Sequence, residues 1–257
     1  MAFDPREIGS TLGYGITSVS ALVYGGAGAG KTTLAATTGD PARTLVLAAE
    51  PGLLPLRKVG VRFVEIDGPE KLHDVLAWLE SAGPRLSKGF SWVILDSISE
   101  IAERVLRSML ARPSKSGDKG HGMAAYGETQ GVMIDAMKRV RSLPTNTLTV
   151  AKQERIEDGE QRLVYGPMFP GRKLAGASVY EFDLVMALRV ARDEQTKTVT
   201  RWLQTQADGK YEAKDRSGCL APSEPPDLAH IAAKILASMP PQKATVPDAQ
   251  PADENAK

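Results

Sequence analysis

One cysteine in 257 residues, Cys219, excludes an internal disulfide and any cysteine-rich zinc cluster. The three histidines, His73, His121 and His230, have no metal-ligand spacing. No excess of charge is present either: 32 Lys+Arg against 31 Asp+Glu leaves +1. That excludes a uniformly basic, histone-like binder, while leaving room for a local basic patch. Glycine and proline number 24 and 17, below the level at which composition alone argues for disorder. Long apolar runs are missing as well. The longest uncharged stretch, Ile8 to Gly30, is long enough for a bilayer span but holds seven Gly and five Ser/Thr, which excludes one. The start, Met1 to Glu7, lacks the basic segment and apolar run of a signal peptide, so a soluble, cytoplasmic protein without membrane partners is expected.

What is present is an alternation of short β-rich runs with helical periodicity, which predicts an α/β fold with a largely parallel sheet. The length suits one large domain or two small ones with a full core. Strands are expected at Ser18 to Tyr24, Thr44 to Ala49, Val61 to Ile66 and Trp92 to Leu95. Asp67-Gly68-Pro69 opens a helix with the stripe Leu72, Val75, Leu76, Leu79. Ser97 and Glu100 have capping-box spacing before a second helix. Residues 112–122 show no periodicity and read as a loop, followed by a helix over Met123 to Leu143 and a strand near Thr147 to Ala151. Asp158-Gly159 marks a hairpin. A helix at Arg172 to Tyr180, antiparallel strands at Leu184 to Val190 and Thr198 to Gln204, and a helix at Asp227 to Ser238 complete the pattern. The division expected is an N-terminal segment 1–16, a core 17–220, a C-terminal helix 221–239 and a disordered tail 240–257.

The residues Gly25-Gly26-Ala27-Gly28-Ala29-Gly30-Lys31-Thr32 fit G-x-x-x-x-G-K-[ST], with a strand before and a helix expected from about Lys31. Glycines let backbone N–H groups turn inward around a polyphosphate, Lys31 reaches the β- and γ-phosphates, and the Thr32 hydroxyl ligates Mg²⁺. Thr33 follows in the same turn. ATP and Mg²⁺ are therefore the expected ligands. A second metal-side carboxylate should end another apolar strand, and Asp96 ends Trp92-Val93-Ile94-Leu95. In one large class of such ATPases a Glu directly follows that Asp. Here Ser97 follows, and Glu100 belongs to the cap. Glu50, ending the second strand, is the best candidate to orient a water in line with the γ-phosphate. The alternative for Glu50 is a solvated turn residue before Pro51-Gly52.

Glu50 at that strand end, followed by the order of elements after Asp96, resembles the RecA-type recombinases and their relatives. The resemblance implies that the loop 112–122 and the irregular segment 154–171 contact single-stranded DNA and that Gln153 senses the γ-phosphate. Lys214-Asp215-Arg216-Ser217-Gly218 resembles the K-x-R-x-G finger of RecA-like hexameric helicases and clock ATPases. There the Lys and Arg reach a neighbour's γ-phosphate, which here implies Lys214 and Arg216, and self-assembly as a ring or filament. Together GGAGAGKTT, LAAEPGLL, WVILDS and YEAKDRSG resemble the phage-encoded RecA-like "AAA domain" nucleotide-binding proteins, some of which anneal single strands. The implied location is then the host bacterial cytoplasm, and a single-strand-binding protein is a further candidate partner.

Candidate DNA contacts are Arg112, Lys115 and Lys119 in the first loop, and Arg155, Arg162, Arg172 and Lys173 around the second, with Tyr165 and Phe169 as possible stacking rings. Lys138, Arg139 and Arg141 read as a solvated helix face. The reading that unites these features is a DNA-stimulated ATPase in phage recombination or annealing. Its competitors are a small-molecule kinase using the same loop, with 112–122 as a lid, and a non-hydrolysing ATP-dependent switch.

Overall fold

The computed structural model describes residues 18–50, 52–113, 121–157 and 160–238. Lys115, Lys119, Asp158-Gly159 and the tail from Pro240 lie outside these residues, as does the side chain of Arg172. Among the described residues ten strands form: β1 Ser20–Gly25, β2 Thr44–Ala48, β3 Arg62–Glu65, β4 Trp92–Asp96, β5 Asn146–Glu157, β6 Leu163–Pro167, β7 Leu184–Arg192, β8 Val199–Gln204, β9 Lys214–Asp215 and β10 Ser223–Glu224. The helices are α1 Pro69–Ser81, α2 Leu86–Gly89, α3 Ile98–Leu110, α4 His121–Arg141, α5 Arg172–Glu181 and α6 Leu228–Ser238.

The sheet runs β10-β8-β7-β1-β5-β4-β2-β3, with β6 on β5 and β9 on β7. The six strands from β7 to β3 are parallel, and β8, β9 and β10 add antiparallel pairs. This is the expected α/β class, with its mostly parallel sheet, flanking helices and antiparallel C-terminal strands. Strict alternation explains the two-sided core. Leu22, Tyr24, Val93 and Leu95 pack with α1, α3, α4 and α5, while Ala21, Val23, Trp92 and Ile94 pack with Leu34 and α6. Each fully buried Leu, Ile or Val among them contributes about 1.5–3 kcal/mol. Of these eight side chains, Tyr24 carries a hydroxyl. Its hydroxyl lies 2.8 Å from the Tyr165 carbonyl and 2.7 Å from that of Glu212. Burial, reinforced by the Glu212 carboxylate, pushes its pKa far above the ordinary tyrosine range.

Two expectations need correcting. The helix expected from Lys31 is a six-residue 3-10 segment, Thr32–Thr37. Threonine hydroxyls intervene there: Thr37 donates to the Leu34 carbonyl and accepts from the Leu228 N–H, and Thr38 bonds to Thr44. Gly39-Asp40-Pro41 then stops the turn. The strand expected near Thr147 to Ala151 is instead 12 residues long. It leaves the parallel sheet after Lys152 and pairs with β6 from Gln153 onward. No helix among the described residues is long and apolar enough to cross a membrane.

Candidate nucleotide site

The phosphate loop leaves β1 at Gly25, level with Lys152 on the adjacent β5. A Cβ on Gly25 would lie 2.9 Å from the Leu188 carbonyl oxygen, so the loop begins where only glycine fits. Gly30 has φ +105, in the left-handed region that glycine tolerates. Lys31 follows, and its Nζ donates to the carbonyls of Gly25 (2.8 Å) and Gly26 (3.0 Å). Burial lowers the Lys31 pKa, and the Asp96 and Glu50 carboxylates act against that shift.

Asp96 ends β4, level with Ala48 of β2 and Val150 of β5. It is 9% exposed, and burial raises its pKa against a hydrogen bond from Thr32. A buried carboxylate beside a hydroxyl is a hard-oxygen donor pair. That fits Mg²⁺, which takes one or two protein oxygens and fills its remaining positions with water and phosphate. Among the described residues no three His, Cys, Asp or Glu side chains gather into a cage that would hold a metal without phosphate.

Glu50 lies two residues past the end of β2. The Ala49 N–H donates to the Asp96 carbonyl (2.8 Å), and Arg104 of α3 donates to the Ala49 carbonyl. The Glu50 carboxylate accepts from Ser97 Oγ (2.8 Å) and lies 3.5 Å from Lys152 Nζ. Only half of the expected capping box forms: Ser97 Oγ accepts from the Glu100 N–H. The Glu100 carboxylate turns to Lys152 (2.9 Å), Arg104 and Arg107 instead. Its hydrogen bond to Lys152 leads the shift that holds it below the usual carboxylate range. The Asp96–Ser97 peptide bond is cis.

These groups share one cavity of about 590 Å³. Its wall includes the loop residues Gly25 to Gly28 and Gly30 to Thr33, and also Glu50, Asp96, Ser97, Lys152 and Gln153. Ala29 is the one residue of the loop that is not part of it, being buried at 4% exposure. Lys152 is the site residue that the sequence reading missed. Its only signal was a place beside Gln153 at a strand end. Its level with Gly25 depends on the pairing of strands more than a hundred residues apart.

Lys214 and Arg216 do not join this cavity. β9 pairs with Leu184 and Val185, which lie level with Ala21 and Leu22 near the start of β1, away from the loop. Lys214 Nζ donates to the Val179 carbonyl, and Arg216 pairs with Asp183 at 3.1 Å. Of the candidate DNA contacts, Arg112 pairs with Glu128 (2.8 Å) and Arg162 with Glu160 (3.0 Å). Arg155 covers the Tyr165 ring at 5.4 Å, and Tyr165 in turn stacks on Tyr211. Lys173 is exposed. Phe169 is 4% exposed, so its ring packs in the core and is not open to stack on a base. Arg139 corrects the reading of a solvated face, because Glu80 holds it through two contacts of 2.7 and 2.9 Å.

Residues 17–217 match the model of a protein family described as an AAA domain. No curated protein sequence matches the chain. Among solved structures, a KaiC-like protein from the hyperthermophilic archaeon Pyrococcus horikoshii is similar at 14% identity. The alignment covers 72% of this chain and 76% of that one, with a TM-score of 0.37.

Proposed function

Because the chain belongs to the AAA-domain family of P-loop ATPases, we propose that it binds Mg-ATP, hydrolyses it, and acts on single-stranded DNA. The setting is phage recombination or single-strand annealing in the host cytoplasm. The observation that carries the reading is the convergence of Lys31, Thr32, Asp96, Glu50 and Gln153 on one cavity. Backbone N–H groups of residues 25–33 would cradle the phosphates, with Lys31 neutralising the β- and γ-oxygens. Thr32 and Asp96 would hold Mg²⁺, which offsets phosphate charge when bound. Glu50 takes a proton from the attacking water, and Gln153 contacts the γ-phosphate.

Lys214 and Arg216 belong, on this reading, to a neighbouring copy's site, in a ring or filament with ATP at the interfaces. Their place away from their own loop supports a role in trans. Arg112, Lys115, Lys119, Arg155, Arg162, Arg172 and Lys173 carry the DNA contact, and a single-strand-binding protein is a further partner.

Steady-state ATP hydrolysis with and without single-stranded DNA, at low and moderate salt, tests this beside Glu50→Gln. DNA should stimulate turnover, salt should weaken the stimulation, and the variant should bind ATP while losing roughly 100-fold or more in rate. No effect of DNA on either rate or binding overturns the DNA reading. Full activity in the variant overturns the role of Glu50.

A further inference from the structure

The glycines of the phosphate loop allow its backbone to turn inward, but they do not choose that orientation. With φ +105 at Gly30, the flanking peptides can flip at little cost. Something outside the loop has to select one arrangement. The peptide joining Ala29 to Gly30 is held from across the sheet: Arg201 Nε donates to the Ala29 carbonyl at 3.0 Å, over 172 residues of sequence. We infer that Arg201 is a positioning residue for nucleotide binding, fixing the Ala29–Gly30 peptide so that the Gly30 N–H faces the phosphates. The inference rests on the proposal that this loop binds nucleotide.

Three observations carry it. First, in a trans peptide the C=O and N–H point in opposite directions. Gly30 lines the cavity and Arg201 does not, so a carbonyl drawn toward Arg201 sends the N–H of the same peptide the other way. The opposite flip would aim a carbonyl at a polyphosphate and repel it. Second, the anchor is framed by the same sheet as the loop. Arg201 on β8 pairs with Val190 of β7, and β7 pairs in parallel with β1. Third, among the described residues no other side chain draws the guanidinium away. Among the described residues it forms an ion pair with no carboxylate, although it is exposed. Arginine suits the task because Nε donates at a fixed angle from a planar group, whereas lysine presents a flexible point charge.

Equilibrium binding of a fluorescent ATP analogue with Mg²⁺, together with steady-state hydrolysis, tests the inference on the full chain. The proteins are wild type, Arg201→Ala and Arg201→Gln. Removing the bond in Arg201→Ala should weaken binding and raise KM by about tenfold, the worth of one charge-assisted hydrogen bond. The kcat and the melting temperature without nucleotide should hold. Arg201→Gln keeps an N–H donor at the same position without the charge and should recover about half of the loss, roughly threefold in affinity. Unchanged binding in Arg201→Ala overturns the inference. So does equal weakness in both variants, which would mean that Arg201 acts by its charge and not through Ala29. A fall in kcat with KM unchanged also overturns it. If wild type itself binds no nucleotide, the functional proposal fails, and that outcome is distinct from all of these.

Discussion

At the sheet edge where β1, β2 and β4 end and β5 leaves the parallel sheet, Lys31, Glu50, Asp96 and Lys152 face one cavity from four different chain segments. At the opposite edge, Arg141 and Arg216 share Asp183, and Lys214 donates to a backbone carbonyl. Burial lowers the pKa of the lysine at each edge, but their company differs. Lys31 has Asp96 and Glu50 pulling its pKa back up, whereas Lys214 has the Arg216 cation pushing it further down, with Asp183 opposing. The first edge gathers complementary charges around a space that a polyanion fills. At the second, most of the charge is already satisfied within the chain. A basic residue in a motif therefore means little until its partner is known.

The sharpest way to break this contrast is Lys31→Ala. Hydrolysis should fall at least about 100-fold, because Lys152, the other lysine of the cavity, is already held by Glu100 and Glu50. Equal activity in the variant would erase the distinction between the edges. The DNA candidates come next. Arg155→Ala and Lys173→Ala should each weaken single-stranded DNA binding several-fold and reduce the salt slope by about one. Arg112→Ala, whose guanidinium Glu128 already holds, should do less. Filter binding over a salt series would show the order, and an inverted order would sink the argument from pairing.

Arg216→Ala tests the far edge. Its exposed pair with Asp183 is worth about 0–1 kcal/mol, so the melting temperature should barely move. If a neighbour's site uses this residue, ATP turnover should nonetheless drop with protein concentration held high. The smallest effect is expected at Glu80. Its hydrogen bond from Arg139 holds the carboxyl below the usual range, so its contribution is present above the ordinary Glu pKa and is lost as pH falls through the lowered value. Glu80 is 41% exposed, so solvent screening leaves the contribution within about 1 kcal/mol. Denaturant melts of Glu80→Gln should match wild type in strong acid and fall slightly below it at neutral pH.

Much of the frame could be read before the structure. The unbroken run Trp92 to Leu95 is a strand covered on both faces, and Leu72, Val75, Leu76 and Leu79 are the buried stripe of α1. The loop motif was legible because its spacing is local. What escaped depends on register or on competition. Lys152 and Arg201 meet the loop only through strand pairing, and periodicity does not report pairing. Phe169 looks available because its segment is irregular, yet it is buried in the same core as Ile156 of β5 and Val164 of β6. The 3-10 turn after the loop came from threonine hydroxyls that outbid the helix for backbone partners. Glu100 had the right spacing for a cap, but the cations of α3 and β5 took its carboxylate.

The buried phenol of Tyr24 has an optical consequence. Six tyrosines absorb in this chain, and alkali turns an accessible phenol into a tyrosinate with a new ultraviolet band. Tyr24 keeps its proton while the fold is intact, so its share of that band should arrive only with global opening. The sign of the linkage agrees. The unfolded chain releases this proton near the ordinary tyrosine pKa and the folded chain does not, so stability declines as pH climbs above that value. A spectrophotometric titration followed in parallel with circular dichroism should show the last tyrosinate step coinciding with the loss of helix. Replacing Tyr24 with Phe should abolish that step, leaving an intrinsic signal that reads β1 and its two carbonyl partners without any added label.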